Sequence, residues 1–414
     1  LKTYGLSFSC YFMAGGWSRF ALRFSEYYAS LGTTTLWTPP RLRTREWMFV
    51  PWGGAPPDRH RAFQDKAELL SYLQNRTPHS CFHSTAYYQR PSNRKMSEKG
   101  WLGADLIFDL DGDHLPGVSD TDFPTMIDTI QHQAWRLWSE FLKPELGFRE
   151  EYVQTTFSGH RGFHIHVRDP NLLHLDSNAR REIVNHIRGE GIDVQSALAG
   201  PDISWGNRAR SGMDSVLEQL RVISAKGADK KTTLERLHDI LKSRAKSPRT
   251  RVRSTSKARI LELAELAESA ERVDRLRGDR ALSVFGETCT PIFWELVKGD
   301  AAVLGSAGET DEAVTVDTKR VIRWVGSLHG KSGLRVTEFP LHRLDPSTSH
   351  RFEPTKESVV FSLQNRMGVR LLIDNVTAEL AGERIEGNEG EQFEASEAMA
   401  TFLTLKGWAE VVQQ

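Results

Sequence analysis

Alternation of apolar and polar side chains marks the clearest strands of the sequence. Residues 104–111, ADLIFDLD, place apolar and acidic side chains on opposite faces at a period of two, which predicts a β-strand. Residues 152–157 and 163–168 read as two further strands, and SGHRG at 158–162 predicts the turn that joins them. We therefore expect these two strands to pair as a hairpin.

Apolar residues at helical spacing flank this hairpin. One helix is expected from a cap at Asp120 or Thr121 to about Lys143, and another from Asp176 to about Gly189. These helices and the strands between them predict a mixed α+β fold.

The character of the sequence changes after residue 202. Residues 202–283 are rich in Leu, Ala, Glu, Lys and Arg with few aromatics, which predicts a helical insertion. Strand-like alternation is expected again after residue 311. The acidic segment 379–397 predicts a flexible connector, and 395–412 predicts a short amphipathic helix.

The formal net charge is zero, with 54 Lys and Arg against 54 Asp and Glu among 414 residues. The charges are segregated, because residues 226–259 hold twelve Lys or Arg and three Asp or Glu, whereas 379–397 holds seven Glu and one Arg. Neutrality of the sum therefore does not exclude a nucleic-acid partner.

Three cysteines, Cys10, Cys81 and Cys289, lie far apart and form no CxxC pair. This spacing argues against a disulfide framework and a cysteine zinc site, so a reducing cytoplasm is expected. No stretch approaches the roughly 20 apolar residues of a membrane helix. Residues 1–15 are compatible with a weak signal peptide, but no basic region and cleavage site frame them, so an alternative start codon or a start at Met13 is an equally good interpretation.

Two carboxylates are the first candidates for chemistry. Asp109 and Asp111 are two apart on the predicted strand and project from the same face. Carboxylates this close repel each other unless a cation lies between them, and Mg²⁺ is commonly held by one or two carboxylates together with substrate phosphates. The alternative is a strand-end turn at 111–113, DGD, in which Asp113 is either a ligand or part of the turn.

The second candidate is SGHRGFHIH, residues 158–166. Ser158, the backbone N–H groups of the glycine-rich turn and the Arg161 guanidinium suit an anion such as phosphate. His164 and His166 share one face and could instead bind zinc or iron, or form a solvated polar hairpin.

The third candidate is the segment 311–333. Asp311 and Asp317 are rival third carboxylates, and the alternative is an amphipathic element with a solvated face. Its cationic side chains are Lys319, Arg320, Arg323, His329 and Lys331. Upstream, Glu46 in TREWMF and Arg59 in DRHRAF are candidate contacts that could equally be surface charges.

Taken together, these segments and their order in the chain resemble those of the catalytic small subunit of archaeal and eukaryotic DNA primases. The resemblance is carried by FDLD, SGHRGFHIHV and an aspartate, Asp311, that 17 intervening residues separate from His329 of SLHGKSG, and it covers residues 20–200 and 285–350. REWMF, DRHRAF and HSTAYYQRP are similar to the N-terminal segments of that family.

The resemblance implies a role for each matched residue. It implies that Asp109, Asp111 and Asp311 bind two Mg²⁺ or Mn²⁺ ions, with Asp317 as the rival for the third position. It implies that the remaining matched residues contact the incoming nucleotide: Glu46, Arg59, Ser158, His160, Arg161, His164, Arg323 and His329. His160 stands where many members have arginine, so a weaker and pH-dependent phosphate contact is expected. Residues 112–126 contain no cysteine, so no structural zinc is expected.

The implied fold is the α+β catalytic core of archaeo-eukaryotic primases, with mixed sheets, flanking helices and a mainly helical insertion. The expected division is core at 16–201, helical insertion at 202–283, core again at 284–378, and acidic connector with a terminal helix at 379–414.

The implied activity is template-directed synthesis of short RNA primers, with DNA primers as a further option. The implied partners are a primase large subunit, single-stranded DNA, nucleoside triphosphates and replisome proteins, with no membrane partner. The alternatives are an end-joining repair polymerase of the same superfamily and a DxD nucleotide-sugar glycosyltransferase, which would not explain the second and third segments.

Overall fold

The computed structural model describes residues 16–112, 115, 118–200, 204–225, 227, 229–245, 252, 255–278, 281–302 and 309–412, without the side chains of 16–18 and 309–312. Within these ranges the chain is a mixture of helices and small antiparallel sheets, and the predicted α+β class is confirmed.

The strands of the described residues are β1 Trp47–Val50, β2 Asp58–Arg61, β3 Ser80–Ser84, β4 Ala86–Tyr88, β5 Trp101–Ala104, β6 Leu106–Asp111, β7 Val153–Phe157, β8 Gly162–Val167, β9 Val321–Arg323, β10 Thr337–Phe339, β11 Arg366–Leu371, β12 Val376–Leu380, β13 Glu383–Gly387, β14 Gln392–Ser396 and β15 Ala409–Val412. Two four-stranded sheets, β2-β1-β3-β9 and β10-β7-β8-β6, carry the candidate residues. The C-terminal part adds a three-stranded sheet, β14-β11-β15, and the hairpin β12-β13, while β4 pairs with β5.

The α-helices are α1 Gly16–Ser30, α2 Lys66–Arg76, α3 Phe123–Arg136, α4 Ser177–Ile187, α5 Val194–Ala199, α6 Trp205–Ser224, α7 Lys230–Ala245, α8 Lys257–Ala267, α9 Ala270–Arg277, α10 Gly286–Ala301, α11 Glu309–Val316, α12 Pro354–Glu357 and α13 Glu397–Leu405. Among the described helices, none combines the length and the apolar character that crossing a membrane requires.

The predicted hairpin and acidic strand are confirmed and lie side by side. Strand β8 pairs with β7 on one side and with β6 on the other, so that Asp109 faces His164 and Asp111 faces Gly162 across the ladder. Phe108 and Leu110 alternate with the aspartates and are buried in the main hydrophobic core. The period of two therefore anchors the strand on one face and presents both carboxylates on the other.

Two strands from far along the chain complete these sheets. Strand β9 pairs with β3 at the edge of the first sheet, and β10 pairs with β7 at the edge of the second. The turn between β9 and β10 carries His329, so the pairing of these two short strands brings the third candidate segment to the acidic strand. Ile107 of β6, Val314 of α11 and Ile322 of β9 pack together at this junction.

The helical part forms a hydrophobic core of its own. Its buried residues run from Val194 in α5 to Val297 in α10, so this packing extends beyond the predicted insertion at both ends. Helix α10 contributes Phe293, Trp294 and Leu296 to it. The apolar positions of α10 lie in a region that the sequence assigned to the catalytic core.

Three sequence-based expectations are corrected by the structure. Asp122, rather than Asp120 or Thr121, caps α3, because its side chain accepts from the Thr125 backbone N–H. A π-helix at Leu137–Leu142 then continues α3 as far as the predicted end.

The second correction concerns the segment after residue 311, where strand-like alternation was expected. Residues up to Val316 form α11 instead, because packing of Val314 against Ile107 and Ile322 outweighs the low helix propensity of β-branched residues.

The third correction concerns the acidic segment 379–397, which is not a flexible connector. Most of it lies in β12, β13 and β14, where buried Leu380 and Ile385 alternate with half-buried Glu379 and exposed Glu386. Ion pairs such as Arg366 with Glu383 stabilise these strands. The predicted terminal helix ends at Leu405, and the chain then returns as β15.

A buried ion cluster joins the two four-stranded sheets. Asp105, just before β6, lies 2.8 Å from Arg45 and 3.2 Å from Arg168 and accepts a hydrogen bond from Tyr87 at 2.5 Å. Burial alone would raise the pKa of Asp105, but the two arginines outweigh it and leave the pKa below its ordinary value. The cluster fixes the start of the strand that ends in the two candidate carboxylates.

Asp105→Asn tests this anchoring. Removing the buried charge leaves Arg45 and Arg168 without their anion, so the free energy of unfolding should fall by about 3 to 5 kcal/mol. Urea titration measures it. Glu98→Gln, at an exposed pair with Lys95, is the control and should leave the unfolding midpoint unchanged. Equal midpoints for the two variants would contradict the anchoring role.

Candidate active site

A cavity of about 230 Å³ lies between β6, β8 and β9. It brings together residues from all three candidate segments of the sequence. Its lining consists of Phe82, Asp109, Asp111, Ser158, His160, Arg161, Gly162, His164, Val314, Arg320, Val321, Ile322, Arg323, His329 and Lys331.

The two carboxylates each contact a basic side chain from the neighbouring hairpin. Asp111 Oδ1 lies 2.8 Å from Arg161 Nε, and Asp109 Oδ1 lies 3.3 Å from His164 Nε2. Their side chains are 40% and 21% exposed, so solvent and ligands reach both. Thr156, behind the histidine, lies 3.3 Å from His164 Nδ1 and holds the ring in place.

The turn of the hairpin is closed by Ser158. Its hydroxyl oxygen accepts from the backbone N–H groups of His160 at 3.3 Å and Gly162 at 3.1 Å. Gly159 has φ +81°, and a Cβ there would lie 2.9 Å from His329 Cβ and 3.0 Å from the Leu334 carbonyl oxygen. Only glycine therefore lets this turn approach the turn that carries His329.

Two imidazoles stack where these turns meet. The rings of His160 and His329 are 4.7 Å apart and inclined by 16°. Burial, followed by the charges of Lys406 and Arg161, lowers the pKa of His160 well below its ordinary value. Burial and Arg323 do the same to the pKa of His329. Both rings are therefore neutral near pH 7, and the pH dependence expected for His160 moves to acidic pH.

Arg323 projects from β9 towards the carboxylates. Burial lowers its pKa to about 10 although Asp109 and Asp111 act in the opposite direction, so the guanidinium stays charged at neutral pH. The guanidinium carbon Cζ of Arg323 lies over the ring of Phe82, 4.8 Å from the ring centroid. Among the described residues its buried Nη1 has no hydrogen-bond partner, which makes it a donor suited to an anionic ligand.

The lining carries more positive than negative charge. Arg161, Arg320, Arg323 and Lys331 are permanent cations, whereas the described lining contains two carboxylates. The neutral histidines add N–H donors. The cavity therefore suits a ligand that is itself strongly anionic.

Glu46 and Arg59 are not part of the described lining. Glu46 is buried and lies 3.0 Å from Lys99 and 2.8 Å from His60. The pKa of Tyr88 is raised by burial and then by the negative charges of Glu46 and Asp317, whereas the positive charge of Arg59 acts in the opposite direction. Glu46, Asp317 and Arg59 are therefore near enough to Tyr88 to influence it. A direct contact of Glu46 or Arg59 with a nucleotide stays a prediction.

The third carboxylate also stays a prediction. The Asp311 side chain and Asp113 lie outside the described residues, but Asp311 is in α11, one turn before Val314 of the cavity lining. Asp317 is exposed, accepts from the Lys319 backbone N–H at 2.8 Å and does not line the cavity. Among the described side chains, no group of three or more His, Cys, Asp or Glu is arranged to hold a metal ion.

Sequence reasoning missed one residue at the edge of this site. Lys406, at the end of α13, places Nζ 3.4 Å from His160 Nε2, across 246 positions of sequence. The sequence around Lys406 carries no signal for this contact, because it depends on how the C-terminal sheet packs.

Enzymes that transfer phosphoryl groups with divalent metals combine paired carboxylates with a cluster of cationic side chains, as this cavity does.

The family model described as DNA primase small subunit matches residues 108–341. The chain is 35% identical to the DNA primase small subunit of Methanothrix thermoacetophila, covering 94% of this chain and 97% of the relative. It is 34% identical to that of Methanocella arvoryzae and 32% to that of Methanosarcina barkeri, covering 94% of this chain and 96% and 95% of those relatives.

The chain belongs to the DNA primase small subunit family. This membership gives it the catalytic role of a primer-synthesising nucleotidyltransferase and confirms the resemblance found in the sequence. The repair polymerase and the glycosyltransferase are not favoured.

Gly159→Ala tests the close approach of the two turns. The added methyl group should separate His160 from His329 and weaken binding of a fluorescent nucleoside triphosphate by about tenfold or more. Gly147→Ala is the matched control, since Gly147 has φ +67° but a Cβ added there would meet no atom within 4 Å. This control carries only the backbone cost of about 1 kcal/mol and should bind normally. Wild-type affinity in both variants would contradict this geometry.

Proposed function

We propose that primer synthesis takes place in the cavity between β6, β8 and β9, by transfer of a nucleotide onto a 3′-hydroxyl paired with a single-stranded DNA template. The observation that supports this most strongly is the meeting of Asp109 and Asp111 with four cationic side chains from distant parts of the chain. The new bond joins the 3′-oxygen to the α-phosphorus, and pyrophosphate leaves.

The donor set fits hard divalent cations. Asp109 and Asp111 offer carboxylate oxygens from one face of β6, and both remain partly exposed. Oxygen ligands of this kind are those preferred by Mg²⁺ and Mn²⁺. When bound, two such ions would activate the 3′-hydroxyl and neutralise charge on the triphosphate.

The cationic residues and neutral histidines position the triphosphate. Arg161 offers its guanidinium beside Asp111, and Arg323 offers the buried Nη1 that has no partner among the described residues. His160 and His329 offer N–H groups without adding charge. Phosphoryl transfer depends mainly on such positioning and charge neutralisation, so no protein nucleophile is required.

Asp311 is the proposed third carboxylate. Its helix α11 packs on β6 through Val314, which lines the cavity, whereas the side chain of Asp317 is engaged in a turn.

The partners follow from the family. The relatives are named small subunits, so we propose that this chain works with a larger primase subunit. Its proposed location is the cytoplasm, in keeping with a role in DNA replication. Nucleoside triphosphates and single-stranded DNA are its proposed substrates and template, with RNA primers as the main product. The basic helical segment around α7 and α8 is a candidate for contact with template phosphates.

Substitution of the carboxylates tests the proposal. Asp109→Asn, Asp111→Asn and Asp311→Asn should each lower kcat about thousandfold or more, because each removes a metal ligand. Labelled products on a single-stranded homopolymer template with Mg²⁺ or Mn²⁺ provide the measurement.

Asp317→Asn is the matched control and should retain activity close to that of the parent. Full synthesis by the Asp109 and Asp111 variants would refute the site. If Asp317→Asn loses activity while Asp311→Asn retains it, Asp317 rather than Asp311 is the third carboxylate.

A further inference from the structure

The C-terminal part of the chain reaches the proposed triphosphate site through one side chain. Lys406 directly follows α13, and its backbone N–H donates to the Phe402 carbonyl at 3.0 Å. Its Nζ lies 3.4 Å from Nε2 of His160, which lines the cavity. Lys406 itself stands behind that lining.

Three aromatic rings surround the same ammonium group. Its Nζ lies 4.2 Å from the ring centroid of Trp408, 5.2 Å from that of Phe123 and 5.6 Å from that of Phe402. The negative faces of aromatic rings stabilise a cation at these distances. The rings therefore favour the charged form of Lys406 in a half-buried position next to His160.

This contact determines where the proton of His160 lies. An ammonium group only donates hydrogen bonds, so Nε2 of His160 accepts and the neutral ring carries its proton on Nδ1. In the stacked ring of His329, Nδ1 accepts from the Lys331 backbone N–H at 3.1 Å, which leaves the proton on Nε2. Each ring thus has one fixed acceptor and one fixed donor.

Helix α13 also packs against the turn that carries His329. A Cβ added at Gly333 would lie 3.1 Å from Thr401 Cγ2 and 3.4 Å from Leu405 Cδ1. The helix that presents Lys406 therefore touches both turns of the site. Its position relative to the two histidines is fixed by packing as well as by the Lys406 contact.

We propose that Lys406 is a positioning residue for the incoming nucleotide, which holds His160 in the tautomer and orientation that donate to the triphosphate. This inference rests on the proposed function, in which His160 and His329 contact that triphosphate. It assigns to the C-terminal part of the chain a role in nucleotide binding that is exerted through His160, in addition to a role in stability.

Steady-state kinetics of primer synthesis on a single-stranded template test the proposal. Lys406→Met removes the charge and the donor, so the KM for the nucleoside triphosphate should rise about five- to twentyfold while kcat changes less than about twofold. Lys406→Arg keeps both and should restore a KM close to that of the parent. Lys143→Met is the control, at an exposed pair with Glu150, and should have no effect.

A double-mutant cycle shows whether Lys406 acts through His160. In the background of His160→Ala, Lys406→Met should raise KM by less than about twofold further. Lys406→Gln, which keeps a donor without the charge, should give an intermediate KM and replaces the methionine variant if that variant melts early.

Three results would overturn the inference: an unchanged KM in Lys406→Met and Lys406→Gln, a full effect of Lys406→Met without His160, or no recovery in Lys406→Arg. If Asp109→Asn abolishes primer synthesis while Lys406→Met leaves the KM unchanged, only this inference is refuted. If Asp109→Asn retains primer synthesis, the proposed function is refuted instead.

Discussion

The structure of the site depends on the repulsion between two carboxylates held on one face of one strand. Asp109 and Asp111 are fixed there because Phe108 and Leu110, which alternate with them, are buried in the core. Two negative charges this close are tolerated only with cations beside them. The hairpin β7–β8 supplies the first of these through Arg161, which lies against Asp111.

The remaining cations come from β9 and the residues next to it, which follow the helical part in sequence. Strand β9 brings Arg323 to the cavity by pairing with β3, and β10 closes the second sheet by pairing with β7. The turn between them places His329 against His160 across the space that Gly159 leaves open. A long helical segment can thus separate the two parts of one site in sequence, because strands that follow it, β9 and β10, pair with strands that precede it, β3 and β7.

Features that depend on interactions between residues close in sequence could be predicted, whereas features that depend on contacts between distant residues could not. The acidic strand and its hairpin depend on local alternation and a glycine-rich turn, and both were predicted. The segment 379–397 was misjudged because its glutamates dominate the composition, although buried Leu380 and Ile385 keep a period of two. Helix α11 was missed because Val314 owes its conformation to tertiary packing. Lys406 contacts His160 across 246 positions of sequence through tertiary packing, so no local pattern reveals it.

The proposed mechanism requires that the carboxylates of β6 hold divalent metal while the two facing turns and Arg323 hold the triphosphate. Anomalous diffraction from crystals soaked with Mn²⁺ and a non-hydrolysable nucleoside triphosphate tests this claim directly. We expect manganese peaks within coordinating distance of Asp109 and Asp111, about 2.0 to 2.3 Å for such oxygen ligands, and phosphate density beside Arg161 and Arg323. Manganese bound elsewhere, or a triphosphate that contacts neither arginine, would contradict it.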